Sequence, residues 1–417
     1  MKPVYKEKYP HLFEPLYAGK RRIRFNNRIN VAPIGSGATG GGEDSDGRIN
    51  TFGIDFWMRF IQGGFSSVAL PMEVPIDGSH EHCFNLNPKT CNQMNFQRFQ
   101  RAVHAFNGRT FAEFIHGGPY MRAGFKKISA DDEPHLGSRA ATREDLEDIA
   151  ALFGEYAQWA RIANFDGILL HYGHGWLFNY FLSPLTNHRT DEFGGSVENR
   201  CRFPLMALKA VREVIGDDLL IELRLNGNDE MEGGITPEDA AQQALIFQDY
   251  ADMIHITCST RLDVTSRPRM TPTSFFPTEH NAYASAIVKN TPGVRIPIGA
   301  VGAIGNPERA EKLLEDGKAD YLLIARAAIA DNDWVNKVKA GHEEDIRPCI
   351  RCDYCLDGGR RGSLTSEVNI SDTATFDGHC SVNPLYRQGQ YKEYMLRATR
   401  PRSVAVVGGG VAGIQAA

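Results

Sequence analysis

From residue 28 to about 340 the chain alternates short apolar or β-branched runs with amphipathic segments of helical length, and it does so eight times. The runs are Arg28 to Ile34, Ser66 to Met72, Arg109 to His116, Asp166 to His171, Leu219 to Leu225, Asp252 to Thr257, Arg295 to Ala300 and Asp320 to Ala325. Several intervening segments open on helix-start signals: Thr142 with Asp145 three residues on, Thr236 before Pro237, and Asn306 before Pro307. A helix after each strand is what parallel pairing demands, because parallel neighbours need a long crossover. Eight such units over roughly 310 residues predict a (β/α)8 barrel with long loops; a doubly wound open sheet is the alternative that the count disfavours. The segment "FEPLYAGKRRIRFNN", ahead of the first strand, reads as a hairpin over the N-terminal mouth of the barrel. A functional site is then expected at the other face, where strands give way to loops.

Hydrophobic residues make up 42% and charged residues 23%, enough for an extensive core, and the formal net charge of −5 offers no basic footprint for nucleic acid. No apolar run approaches the roughly 18 residues that a membrane span requires. The start, "MKPVYKEKYPHLFEPLYAGK", contains no apolar core of an export signal, so a cytoplasmic address is expected.

After residue 345 the texture turns polar and irregular. Three cysteines, Cys349, Cys352 and Cys355, stand two residues apart, and Cys380 follows after 24 more. In a chain without an export signal such a cluster points to metal binding. Four thiolates suit an iron–sulfur cluster or structural zinc, and the close triplet with one remote cysteine favours a four-iron, four-sulfur cluster over the paired spacing of zinc sites.

The densest stretch is "FDGILLHYGHGWLFNYFLSPLTNHRTDEFGGSVENRCRF", residues 165 to 203. His171 and His174 flank the exit of the fourth strand, where two imidazoles can donate hydrogen bonds to one substrate oxygen. Arg189, Asp191, Asn199 and Arg202 read as a structural salt-bridge and capping network.

This stretch closely resembles the old yellow enzyme family of FMN-dependent ene-reductases, in the iron–sulfur branch that includes 2,4-dienoyl-CoA reductase, 2-enoate reductase and trimethylamine dehydrogenase. "NRINVAPIGSG", "FIHGGPY", "LIELRLNGNDEMEGG" and "ADYLLIARAAIADNDW" resemble the family's first, third, fifth and eighth strands, in order. The resemblance implies that Ala32, Pro33, Ile34 and Gly35 line the flavin ring and that Arg224 stands beside its N1 and O2 edge, where reduced flavin is negative. It implies that Gly302, Ala325 and Arg326 hold the FMN phosphate. His171 and His174 match the pair that grips the substrate carbonyl, so that hydride from the flavin N5 can reach the β-carbon of a conjugated alkene.

Several positions depart from the family pattern. Trp176 occupies the place of the usual tyrosine proton donor, leaving Tyr120, Tyr172, Tyr180 or water for that role. Glu113 replaces a glutamine that contacts the flavin pyrimidine, which implies altered tuning of a bound flavin, and Pro119 replaces an arginine; His116 still matches. The two-residue second gap in the cysteine triplet is closer to trimethylamine dehydrogenase, yet that enzyme carries tyrosine where this chain has His171.

The stretch "VAVVGGGVAGIQAA" explains itself in this setting. Gly408, Gly410 and Gly413 form a G-x-G-x-x-G turn after a predicted strand, and in this branch an FAD and NAD(P)-binding region follows the cluster. The expected organisation is an FMN-binding TIM barrel over 1–345, an iron–sulfur segment over 346–400, and over 401–417 the start of a Rossmann-like dinucleotide-binding domain cut from a longer chain. Two weaker motifs read blandly: "EDSDG" as a turn, and "HEHC" at 80–83, in the loop after the second strand, as substrate lining or plain solvent exposure and not metal binding. The expected reaction is NAD(P)H-dependent reduction of an α,β-unsaturated carbonyl compound; an amine dehydrogenase or a non-catalytic electron-transfer flavoprotein are the alternatives. Substrate identity and oligomeric state, a homo-oligomer included, stay open.

Overall fold

A computed structural model describes residues 4–34, 49, 51–74, 93–121, 126–263, 265–357, 380–386, 400, 403–410 and 414. Its centre is eight parallel strands: β1 (Ile29–Val31), β2 (Ser67–Glu73), β3 (Arg109–Ile115), β4 (Gly167–Tyr172), β5 (Leu220–Asn226), β6 (Met253–Thr257), β7 (Ile298–Val301) and β8 (Tyr321–Ile324). They pair in the order β1-β8-β7-β6-β5-β4-β3-β2. The ends meet where Ser66 N donates to Ile29 O (2.9 Å) and Ser67 Oγ to Asn30 Oδ1 (2.8 Å), so the sheet curls into a TIM barrel. All eight expected runs became strands, the seventh starting later than expected because Pro297 precedes it.

Helices follow the strands: α1 (Thr51–Gln62), α2 (Gln93–Ala105), α3 (Arg143–Ile162), α4 (Val197–Ile215), α5 (Pro237–Phe247), α6 (Ala282–Lys289), α7 (Pro307–Glu315) and α8 (Arg326–Ala330). Their starts are chemically specified. Thr142 and Thr236 each close a capping box, with Asp145 and Asp239, and Asn306 Oδ1 accepts from Arg309 N at 2.9 Å. No helix among the described residues is long and apolar enough to cross a membrane.

Strand starts are fixed by a repeated device. Asp166 N donates to Thr110 O (3.0 Å) while its Oδ2 accepts from Thr110 N (2.9 Å). Asp252 does the same with Ile221 (2.8 Å both ways), and Asp320 with Ile298 (2.6 and 2.9 Å). Each aspartate therefore ties the foot of an even-numbered strand to the first residues of the strand before it, satisfying an amide that would otherwise lack a partner.

Two apolar layers result. The larger fills the space between strands and helices; the smaller lies inside the barrel, with Ala69, Phe111, Leu169, Leu220, Met253, Tyr321 and Leu323. The hairpin Leu16–Ala18 and Ile23–Phe25 forms as expected and inserts Phe25 into that inner layer, its ring 6.3 Å from Phe111. The predicted strand after residue 403 does not form: residues 403–409 carry no regular structure, and Val404 and Val407 are 77% and 98% exposed. An apolar run folds as a strand only with a ladder to join, and none is offered among the described residues.

Candidate active site

The C-terminal exits of β1, β5, β7 and β8 converge on a cavity of about 370 Å³, within the range of small-molecule sites. Ala32, Pro33, Ile34, Arg224, Gly302, Ala325 and Arg326 all line it. Gly35, Gly413 and the "EDSDG" and "HEHC" motifs lie outside the described residues. Gly302 has φ of +120°, and a Cβ there would come within 2.7 Å of Asn281 Nδ2, so this turn admits no side chain.

Arg224 is a largely buried cation of the cavity wall. Its NH1 donates to Glu113 Oε1 at 3.3 Å and its Nε has no partner among the described residues, which leaves an N–H for an acceptor. Burial pushes the Glu113 carboxyl up to about 7, against the pull of Arg224. This pocket suits a flavin: an unsatisfied buried donor, backbone from β1, and a glycine turn that lets a ligand approach the main chain.

His171 and His174 come together, ring centroids 5.1 Å apart and nearly perpendicular. His171 stands directly opposite Arg224 in the β4–β5 register. Gly173 N donates to His171 Nδ1 (3.3 Å), which leaves the proton of the neutral ring on Nε2. His174 has φ of +62°, and its Nε2 shares a 2.7 Å hydrogen bond with Thr257 Oγ1. Burial, reinforced by Arg224, holds both rings well below the usual imidazole range, so both are neutral at neutral pH.

Tyr172 requires a correction. As the strand neighbour of inward-facing His171 it points outward, buried against Phe178 and Phe247, with its hydroxyl donating to Pro204 O at 2.7 Å. It does not reach the site. Tyr172→Phe is expected to cost about 1 kcal/mol of stability, read by urea denaturation, and to leave the turnover number unchanged.

Tyr120 does lie near the histidines, through Trp176, whose ring is 6.5 Å from Tyr120 and 6.4 Å from His171. Tyr180 donates to Tyr120 from hydroxyl to hydroxyl at 3.3 Å. Arg261 stacks on Trp176, 3.5 Å from the ring centroid, and donates from Nε to His174 O at 2.9 Å. Arg189 and Asp191 form the expected ion pair, and Arg202 Nε donates to Asn199 Oδ1.

Cys349, Cys352, Cys355 and Cys380 line one small pocket, so the remote cysteine returns to the triplet despite its long sequence gap. Burial pushes the Cys355 thiol up to about 12 and raises Cys349. Arg326 also lines this pocket. Its side chain is hydrogen-bonded to Asp353 and to the carbonyls of Thr271 and Pro272.

Thr257, Arg261, Asn281 and Asp353 are site residues that the sequence analysis did not single out. Thr257 ends β6, and barrel strand ends were a usable signal; the other three sit on loops, whose paths the periodicity does not reveal.

Fold and site together fit one class, the TIM-barrel flavin oxidoreductases. A model of the "NADH:flavin oxidoreductase / NADH oxidase family" matches residues 11–345, and the chain belongs to that family. It is 32% identical to an NADH oxidase of Thermoanaerobacter brockii over 98% of this chain and 61% of that protein. Against a cinnamate reductase of Clostridium sporogenes it is 28% identical, over 99% of this chain and 63% of the relative. An N,N-dimethylglycine/sarcosine dehydrogenase of Chromohalobacter salexigens is 29% identical over 97% of this chain and 58% of its own length. The chain thus spans about three-fifths of the length of these curated relatives.

Proposed function

We propose that the chain is the substrate-reducing part of an NAD(P)H-dependent ene-reductase acting on a carbon–carbon double bond conjugated to a carbonyl. The observation that carries this reading is the pair of buried, neutral imidazoles, His171 and His174, beside Arg224. Two neutral N–H donors grip a carbonyl oxygen without an ion to desolvate, and they strengthen as negative charge grows there. When bound, FMN supplies the hydride for the β-carbon. Ala32, Pro33 and Ile34 would hold it from the β1 exit, Arg224 would meet its anionic edge, and the Gly302 turn with Ala325 and Arg326 would hold its phosphate. Tyr120, hydrogen-bonded to Tyr180, is the side chain best able to give a proton to the α-carbon. Trp176 cannot, because an indole N–H is not a useful acid.

The four cysteines are the proposed ligands of a four-iron, four-sulfur cluster, and Gly408, Gly410 and Gly413 the opening of a region for FAD and NAD(P)H. Replacing Cys380 by serine is expected to drop iron and acid-labile sulfide to background while FMN is retained.

The test is an anaerobic absorbance titration of the full-length protein, reduced with dithionite and mixed with a panel of enones, enoates and enoyl thioesters. Reoxidation of the flavin by one class supports the proposal and names the substrate. A second reading, amine oxidation, is favoured by the cysteine spacing and by the dehydrogenase relative. Flavin that stays reduced against the whole panel, and that an alkylamine reduces from the oxidised state, would replace the first reading with this one.

A further inference from the structure

Arg326 belongs to two cavities at once. It lines the large cavity at the β8 exit and also the pocket of the four cysteines. Its side chain is only 9% exposed and makes an ion pair with Asp353, which lies between Cys352 and Cys355 in the chain. Arg326 NH2 also donates to Pro272 O at 2.9 Å, and NH1 to Thr271 O at 3.4 Å. Asp353 is held from the other side by Thr271 Oγ1, which donates to its Oδ2 at 2.9 Å. The loop after β6 thus braces both members of the ion pair. Arg351 anchors the same segment, donating from NH1 to Phe276 O (2.7 Å) and from its backbone N to Cys349 Sγ (3.4 Å).

A guanidinium fixed in this way is committed. Three of its five N–H donors go to Asp353 and two carbonyls, and its charge lies in the wall of the pocket that the four sulfurs share. Asp353 lines the same pocket with the opposite charge, so the four sulfurs face both members of the ion pair. A cation beside a redox centre stabilises the state carrying one more electron, and an anion does the reverse.

We propose that Arg326 is the charge-tuning and positioning residue of the four-cysteine centre: it raises that centre's reduction potential, with Asp353 as its orienting and opposing partner. The inference rests on the reading of Cys349, Cys352, Cys355 and Cys380 as ligands of an iron–sulfur cluster. It assigns the Arg326 side chain to the wall between the flavin cavity and the cysteines. The tuned step adds one electron to the cluster and makes or breaks no covalent bond.

The experiment is an equilibrium redox titration of the full-length holoenzyme, followed by the electron paramagnetic resonance signal of the reduced cluster, for wild type, Arg326→Gln, Arg326→Lys and Asp353→Asn. Iron and sulfide content are measured on each protein. Arg326→Gln is expected to lower the midpoint enough to cut the reduced-to-oxidised ratio tenfold at fixed potential, about 59 mV for a one-electron couple. Asp353→Asn should raise it by less, and Arg326→Lys should restore most of the wild-type value. Equal midpoints in all four proteins, or shifts of one sign in both Gln and Asn variants, would overturn the proposal. So would loss of iron and sulfide from both variants with Arg326→Lys intact at an unchanged midpoint, which would make Arg326 a structural support only. A wild-type protein without iron and sulfide would instead refute the cluster reading itself.

Discussion

Replacing His171 by alanine is expected to lower the rate at which an enone reoxidises the reduced flavin by about 10²–10³-fold, while FMN occupancy stays at the wild-type level. The magnitude is that of removing one pre-oriented hydrogen-bond donor from a site where charge develops. Two structural facts make the loss specific. His171 is opposite Arg224 in the sheet, but its ring does not carry the flavin cavity's wall, so truncation leaves the lining residues in place. Its Nδ1 is occupied by Gly173 N, so Nε2 is the donor that disappears. His174→Ala should cost a similar factor, together with some stability, because it also strands the Thr257 hydroxyl. Since burial keeps both rings neutral, neither should add an inflection to the rate between pH 6 and pH 9. Stopped-flow absorbance measures both quantities. A His171→Ala protein that reoxidises at the wild-type rate would remove the histidine pair from the mechanism.

The second large effect concerns Glu113. Its folded pKa is raised from 4.5 to about 7, burial outweighing the attraction of Arg224. The sign follows directly: between those two values the folded chain holds a proton that the unfolded chain releases, so stability falls as pH rises. The contribution is fully present below about 4.5 and is lost as pH passes 7. A shift of this size corresponds to about 2–3 kcal/mol between pH 5 and pH 8. Urea denaturation of the flavin-free protein at the two pH values, compared with Glu113→Gln, isolates the term, because every other titrating group is common to both. The glutamine variant should lose about 2–3 kcal/mol less on going to pH 8. Equal pH dependence in the two proteins would show that the carboxyl is ionised throughout, held by Arg224.

Much of the barrel was legible because each strand is bracketed by chemistry that one sequence displays: apolar runs of the right length, and caps such as Thr142, Thr236 and Asn306 that start the next helix. The histidine pair was legible for a related reason, since a strand end is a defined place in a barrel. Tyr172 was misread although the information was present: consecutive strand residues face opposite sides, so an inward His171 obliges an outward Tyr172. The partner of Arg326 was not legible. Asp353 reaches it from 27 residues away through an irregular segment whose course depends on side-chain contacts, not on periodicity. Arg261 on Trp176 was hidden for the same reason, because a loop after β6 meets a loop after β4 only in three dimensions.

The aspartate clamps at the foot of the barrel act as a datum from which the heights of the reactive groups are measured. Asp166 lies five residues below His171, and Ile221, whose amide Asp252 holds, lies three below Arg224. At about 3.3 Å per residue, His171 is levelled from some 16 Å beneath it. A slip of one residue at that foot would drop the imidazole by about 3.3 Å and rotate Tyr172 into its place. The vertical alignment of imidazole and guanidinium is therefore set at the end of the barrel that substrate never touches, and weakening a clamp there should blunt the chemistry without altering a single group in the cavity.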